Sequence, residues 1–161
     1  MGSGKSTIGK GLAKAWDYTF VDLDNYIVEK YHLGIPQIFD KYGEKGFRKL
    51  EAKALSEVIE KYSETIISLG GGTPCFENNI ELIKNKTKSI YLKISPSELT
   101  HRLSRSVNPR PLVQNKTKEE LEEYVIAELR KREFFYKQAD HLIESDCIQI
   151  QDLLAFFIRP E

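Results

Sequence analysis

Apolar and polar positions along this chain switch repeatedly between a helical and an extended rhythm. From Thr7 through Ile8, Leu12 and Ala13 to about Trp16 the pattern is that of a helix. Residues 18–22 read as a short strand, 25–31 as a helix ending before Gly34, and 36–42 as a second short helix. A long amphipathic helix is predicted over 44–62, its apolar stripe running through Phe47, Leu50, Ala54, Leu55, Val58 and Tyr62. Residues 65–69 form a buried strand closed by Gly70-Gly71-Gly72, followed by a helix over 76–84, a β-rich run at 89–94 and a helix at 97–103. Residues 104–116 are too polar for a core, 118–136 make a second long helix, 141–143 anchor a last strand and 151–158 a terminal helix. This alternation, without internal repeats or low-complexity linkers, predicts one α/β domain over 1–161 with a mainly parallel sheet.

The start of the chain changes that picture from fold to chemistry. Met1-Gly2-Ser3-Gly4-Lys5-Ser6-Thr7 reads as the second half of a phosphate-binding loop running into a helix. Gly2 and Gly4 permit positive φ and let bare N–H groups converge on an anion around Ser3. Lys5 brings a compact positive charge to the bridging and terminal phosphates, the Ser6 hydroxyl is placed to ligate Mg²⁺, and Thr7 to contact a further phosphate. A Gly/Ser-rich tail before a basic helix is the competing reading. An interior strand normally precedes such a loop. Its loss would remove several buried side chains worth roughly 1.5–3 kcal/mol each, against a total stability of about 5–15 kcal/mol. Met1 is therefore expected to be an internal methionine, with about ten further residues upstream that end in glycine.

Charge and cysteine content narrow the class. The 24 basic and 24 acidic residues cancel, leaving no overall field for nucleic acid, and no apolar run is long enough for a membrane span. Cys75 and Cys147 form no CxxC pair and there is no His/Cys cluster at metal spacing. A small soluble enzyme in a reducing cytoplasm is expected, acting as a monomer on small molecules.

Asp22 and Asp24 lie two apart, so in an extended segment both carboxylates face one side at a strand's C-terminal end, where α/β sheets bind ligands. One suits a metal and the other a substrate. Capping of the next helix by Asp24 is a second reading, and the two can coexist. Arg48 and Glu51 lie beside the 44–62 stripe at i, i+3 spacing and can pair, as a surface salt bridge or as the frame of an anion site. Arg132 falls next on the stripe Leu121, Val125, Leu129 and needs a partner there, whereas Arg130 and Lys131 read as solvated. The glycine triplet lets a ligand lie against backbone N–H groups, with Cys75 beyond it read as a packed thiol. Residues 104–116 have a lid's composition and carry Arg110 before Pro111. His32, His101 and His141 have no evident role; Trp16 and the Phe134-Phe135 pair are expected in the core.

Taken in order, these markers make the chain resemble the shikimate kinase family over essentially its whole length apart from the N-terminal strand. The resemblance rests on the loop at 2–7, Asp22-Leu23-Asp24, Glu44-x-x-Phe47-Arg48-x-x-Glu51, Gly70-Gly71-Gly72, Arg110-Pro111-Leu112 and Lys131-Arg132-x-x-x-Tyr136. It implies a three-layer P-loop kinase fold resembling that of nucleoside-monophosphate kinases. That fold has a mainly parallel sheet of five strands, the first absent here, with helices on both faces, a mobile lid at about 104–117 and a substrate-binding subregion at about 24–62. The implied activity is transfer of the ATP γ-phosphoryl group to the 3-hydroxyl of shikimate, on the way to chorismate and the aromatic amino acids.

The resemblance also implies roles. ATP would be held by Gly2, Ser3, Gly4, Lys5, Ser6, Thr7, Arg110 and Arg102, the last stacking on adenine unless Arg105 does. Asp22 joins Ser6 around Mg²⁺, through water in the family's manner, and Asp24 orients or deprotonates the attacking hydroxyl. Arg48, held by Glu51, and Arg132 clamp the shikimate carboxylate, and Gly70, Gly71 and Gly72 line the ring. Lys5, Asp24 and Arg110 would be the catalytic groups. Two rivals stand beside this reading: another small-molecule kinase of the same fold, acting on gluconate or a nucleoside monophosphate, and a non-catalytic nucleotide-binding module.

Overall fold

The computed structural model describes residues 2–105 and 116–156. Its elements are α1 (Lys5–Trp16), β1 (Thr19–Asp22), α2 (Leu23–Tyr31), α3 (Ile35–Lys61), β2 (Thr65–Ser68), a 3-10 turn (Thr73–Cys75), α4 (Asn79–Lys86), β3 (Ile90–Lys93), α5 (Pro96–Ser104), α6 (Lys118–Tyr136), β4 (His141–Glu144) and α7 (Ile150–Phe156). They divide into two compact units, Lys5–Lys88 with Gln149–Glu161, and Met1–Gly4 with Ser89–Ile148.

In the unit that begins at Lys5, β1 and β2 pair in parallel from Thr19↔Thr65 to Asp22↔Ser68. The helical crossover between them is what a parallel pair requires. α1 packs on both strands and α7 on α1, while α2, α3 and α4 bury Leu23, Ile27, Ile38, Phe47, Ala54, Leu55, Val58 and Ile83. The two helices expected over 36–42 and 44–62 are both present within α3 and meet at Gly43, whose non-helical φ of 67° and ψ of 178°, open essentially only to glycine, break the helix there. The helix expected from residue 76 starts later, at Asn79. Residues Thr73–Cys75 coil into the 3-10 turn, and Glu77 and Asn78 take left-handed φ values of 50° and 58° before the helix begins.

In the other unit, β3 and β4 pair in parallel, and each end of the pair is fastened by one serine and one aspartate. Ser89 donates its N–H and Oγ–H to Asp140 Oδ2, both at 2.8 Å, and Ser95 donates N–H and Oγ–H to the two carboxylate oxygens of Asp146, also at 2.8 Å. α5 and α6 enclose Ile94, Leu99, Leu103, Leu121 and Val125. α6 starts where Thr117 and Glu120 form a reciprocal capping box, and it spans the residues its periodicity predicts. Phe134 is not core: it is 73 % exposed, because it lies about 200° around the helix from the inward position at Arg132. Phe135 is partly buried, and so is Trp16.

The four strands therefore form two parallel pairs among the described residues. Most of the segment expected to be a lid, including Arg110, lies outside them. No helix among the described residues is long and apolar enough to cross a membrane.

Candidate active site

Gly2 and Gly4 take φ values of 65° and 78°, and α1 begins at Lys5 immediately after them. This is the backbone form in which successive N–H groups converge at a helix N-terminus, the end that favours negative charge. In the first turn the Ser6 hydroxyl donates to Asp22 Oδ2 at 2.8 Å and lies 3.3 Å from Ser68 Oγ. Asp22 and Ser68 are cross-strand partners at the C-terminal ends of β1 and β2. Ser68, 8 % exposed, was not singled out by sequence; only the strand register reveals it. Thr7 is exposed.

The Asp-x-Asp pair divides its tasks differently from the capping reading. α2 starts at Leu23, two residues earlier than periodicity suggests, so the N-cap is Asp22, whose Oδ1 accepts from the Asn25 N–H at 3.4 Å. Asp24 sits in the first turn of α2, where the helix dipole favours a carboxylate. Its Oδ1 lies against Gly70: a Cβ there would be 3.3 Å from it, 3.2 Å from Glu51 Oε1 and 3.1 Å from Thr73 Oγ1.

Arg48 is held on several sides. Its Nη1 donates to Glu51 Oε2 at 2.8 Å, Nη2 reaches Glu44 Oε1 at 3.4 Å, and the guanidinium carbon lies 4.2 Å from the Phe76 ring centroid and 5.2 Å from that of Phe47. The Glu51 side chain is 1 % exposed and that of Arg48 13 %, which rules out a mere surface salt bridge. Arg48 Nε is buried with no hydrogen-bond partner among the described residues. An unmet donor beside a fixed cation costs about 1–3 kcal/mol, which an anion can recover. A Cβ on Gly72 would lie 2.7 Å from both Nη atoms, so that glycine makes room for the arginine itself. The sequence suggests only that the triplet serves a ligand.

In the second unit Arg102 spends each nitrogen on a different partner. Nε donates to Glu98 at 2.7 Å, Nη2 to the Asp146 carbonyl at 2.5 Å and Nη1 to the Gly2 carbonyl at 3.5 Å. Edge-on bonding of this kind leaves the planar faces for stacking. Arg105, the alternative, is the exposed C-cap of α5. Arg132 is 22 % exposed and paired with Glu128, whose carboxyl is held below the ordinary glutamate range by Lys131 first and Arg132 besides.

Asp146 is likewise held below its ordinary value by the Ser95 backbone and side-chain donors. A lowered carboxyl contributes stability that is complete above the unfolded-state pKa and disappears as the pH falls through the folded-state one. Asp146→Asn should therefore narrow its melting-temperature gap to the parent protein as the pH is lowered below about 4 in a thermal-shift series. A gap that stays constant over that range contradicts the assignment.

A family model described as shikimate kinase matches residues 1–157. The chain is 42% identical to a shikimate kinase of Phocaeicola vulgatus over 146 residues, covering 91% of this chain and 83% of the relative. Its structure is similar to the crystal structure of shikimate kinase from Bacteroides thetaiotaomicron, with a TM-score of 0.92, 37% identity and coverage of 97% and 93%. It is also similar to shikimate kinase from Acinetobacter baumannii in complex with shikimate, with a TM-score of 0.81, 33% identity and coverage of 97% and 85%. The α/β elements, the parallel strand pairs and the glycine loop at the head of α1 fit the P-loop kinase fold of these neighbours, and the chain belongs to the shikimate kinase family.

Proposed function

We propose that this member of the family transfers the γ-phosphoryl group of ATP to the 3-hydroxyl of shikimate, giving shikimate 3-phosphate and ADP. The observation that carries the proposal is Arg48: a guanidinium fixed by buried Glu51, with an unmet Nε–H, in the same unit as the Asp24 carboxylate against Gly70. A small acid with ring hydroxyls suits that combination, and the Acinetobacter baumannii relative is described as a complex with shikimate.

The chain's own groups divide the work. The N–H groups around Gly2, Ser3 and Gly4, with Lys5 and Thr7, hold the phosphates at the head of α1. Hard oxygen donors at Ser6 and Asp22, 2.8 Å apart, fit Mg²⁺, which uses one or two protein ligands and keeps several waters. When bound with ATP, the ion supplies neutralisation of charge on the β- and γ-oxygens. Arg48 and Arg132 hold the carboxylate, the triplet at 70–72 lines the ring, and Asp24 orients the 3-hydroxyl and takes its proton. Arg102 stacks on the adenine. Arg110 stabilises charge on the transferred group as the lid excludes water. Because the transition state is loose, positioning and charge stabilisation outweigh the base. The enzyme is cytoplasmic and monomeric in this reading.

Product analysis tests the proposal. With Mg-ATP and shikimate, ³¹P spectra should show a phosphate monoester on the 3-oxygen and ADP in equal amounts; ATP consumption without that ester contradicts it. Arg132→Lys should raise the shikimate KM by about tenfold with the ATP KM unchanged, since a point charge cannot replace the planar fork. Steady-state kinetics with shikimate varied at saturating ATP gives the comparison, and an unchanged KM removes Arg132 from the site.

A further inference from the structure

Thr73 has no role in the site described above, yet every polar group it owns is committed. It is fully buried at 0 % exposure. Its N–H donates to the Gly70 carbonyl at 3.1 Å, its carbonyl accepts from Asn79 Nδ2 at 2.9 Å, and its hydroxyl donates to Glu51 Oε1 at 2.7 Å. Asn79, 2 % exposed, is the first residue of α4, and Glu51 belongs to α3. One buried residue thus joins three elements, its backbone holding the glycine turn at Gly70 and α4 at Asn79, and its hydroxyl holding α3 at Glu51.

The consequence runs through Glu51. Its two oxygens serve different partners, Oε1 for Thr73 and Oε2 for Arg48 Nη1. A buried carboxylate with both oxygens satisfied has one orientation; with Oε1 left unmet it rotates or draws in water, and the Arg48 Nη1 bond moves with it. Gly72 already allows the guanidinium no slack on the turn side, since a Cβ there would fall 2.7 Å from it. The N–H bond from Thr73 to Gly70 fixes that same turn. Thr73 therefore sets both the carboxylate that holds Arg48 and the backbone against which Arg48 rests.

We infer that Thr73 is a positioning residue for acid-substrate recognition: its buried hydroxyl aims Glu51, and through Glu51 the Arg48 fork, at the substrate carboxylate, with Asn79 holding Thr73 in place. This rests on the reading of Arg48 as a carboxylate-binding group. Only the burial of Thr73 and its Glu51 bond reveal the role.

The test is a kinetic split on the full chain. Thr73→Val keeps the shape and removes the hydroxyl. It should raise the shikimate KM by about tenfold, with kcat and the ATP KM within about twofold of the parent protein, because an unmet buried acceptor costs about a factor of ten or more. Thr73→Ser, which keeps the hydroxyl, should restore the shikimate KM. If the valine variant does not fold, the Thr73→Ser and Thr73→Ala pair reads the same quantity, the tenfold difference falling between serine and alanine. Arg48→Lys separates the two levels of the argument. If it raises the shikimate KM and the Thr73 variants do not, the positioning role is overturned and the Arg48 reading stands. If Arg48→Lys leaves the shikimate KM unchanged, both are overturned. A lowered melting temperature with no change in shikimate KM makes Thr73 structural only, which also overturns the inference.

Discussion

Asp24→Asn is expected to lower kcat by about two orders of magnitude while leaving ATP affinity within about twofold. The substitution preserves shape, so the first turn of α2 and its cap at Asp22 should persist. What disappears is the capacity to accept a proton from the attacking hydroxyl and the negative charge that orients it. The effect is bounded from above by the loose transition state, in which the nucleophile needs little activation, and from below by the placement of Oδ1 beside Gly70 and the Glu51–Arg48 pair. Rapid-quench measurement of the chemical step, together with nucleotide titration by fluorescence, checks both halves. Full turnover in the asparagine variant would reduce Asp24 to a helix-dipole partner.

Gly72→Ala should have the larger effect on substrate recognition, raising the shikimate KM by about a hundredfold with little change in the ATP KM. A methyl group there would meet Nη1 and Nη2 of Arg48 at 2.7 Å and Cζ at 2.9 Å. The end of an arginine is ordinarily free to swing aside. Here it is not, because Nη1 is bonded to a carboxylate that is 1 % exposed and the Phe76 ring lies against the guanidinium face. Displacing Arg48 strands Glu51 as a buried, uncompensated charge, a change that typically costs about 3–5 kcal/mol. The variant should therefore also melt at a lower temperature, and shikimate should no longer protect it against heating. A Gly72→Ala protein with normal shikimate affinity would show that the guanidinium relocates freely.

Much of this architecture can be read before any coordinates exist, and the reasons differ by element. α6 is bounded by a capping box and a clear stripe, so local chemistry alone fixes Lys118–Tyr136. Gly2 and Gly4 are legible because the positive φ they adopt is rarely available to other residues. Gly43 is legible for the same reason: a glycine between two helical patterns suggests a boundary, and its non-helical φ and ψ put the break in α3 at that residue. Thr73, Asn79 and Ser68 escape because a short polar side chain carries no signal of burial; theirs comes from the strand register and from the packing of α3 on the turn. Phe134 errs in the opposite sense, being apolar yet outside the helical stripe. The individual arginines fall between these cases. Spacing flags Arg48 and Arg132 as inward, but the Glu51 and Phe76 contacts that turn Arg48 into an oriented fork need the tertiary structure.

The most direct test of the central claim is acceptor-dependent ADP release by the purified protein with Mg-ATP, comparing shikimate with gluconate. Robust turnover with shikimate and none above the acceptor-free rate with gluconate is the predicted result. Folded, ATP-binding protein that releases ADP with gluconate but not with shikimate, or with neither, would contradict it.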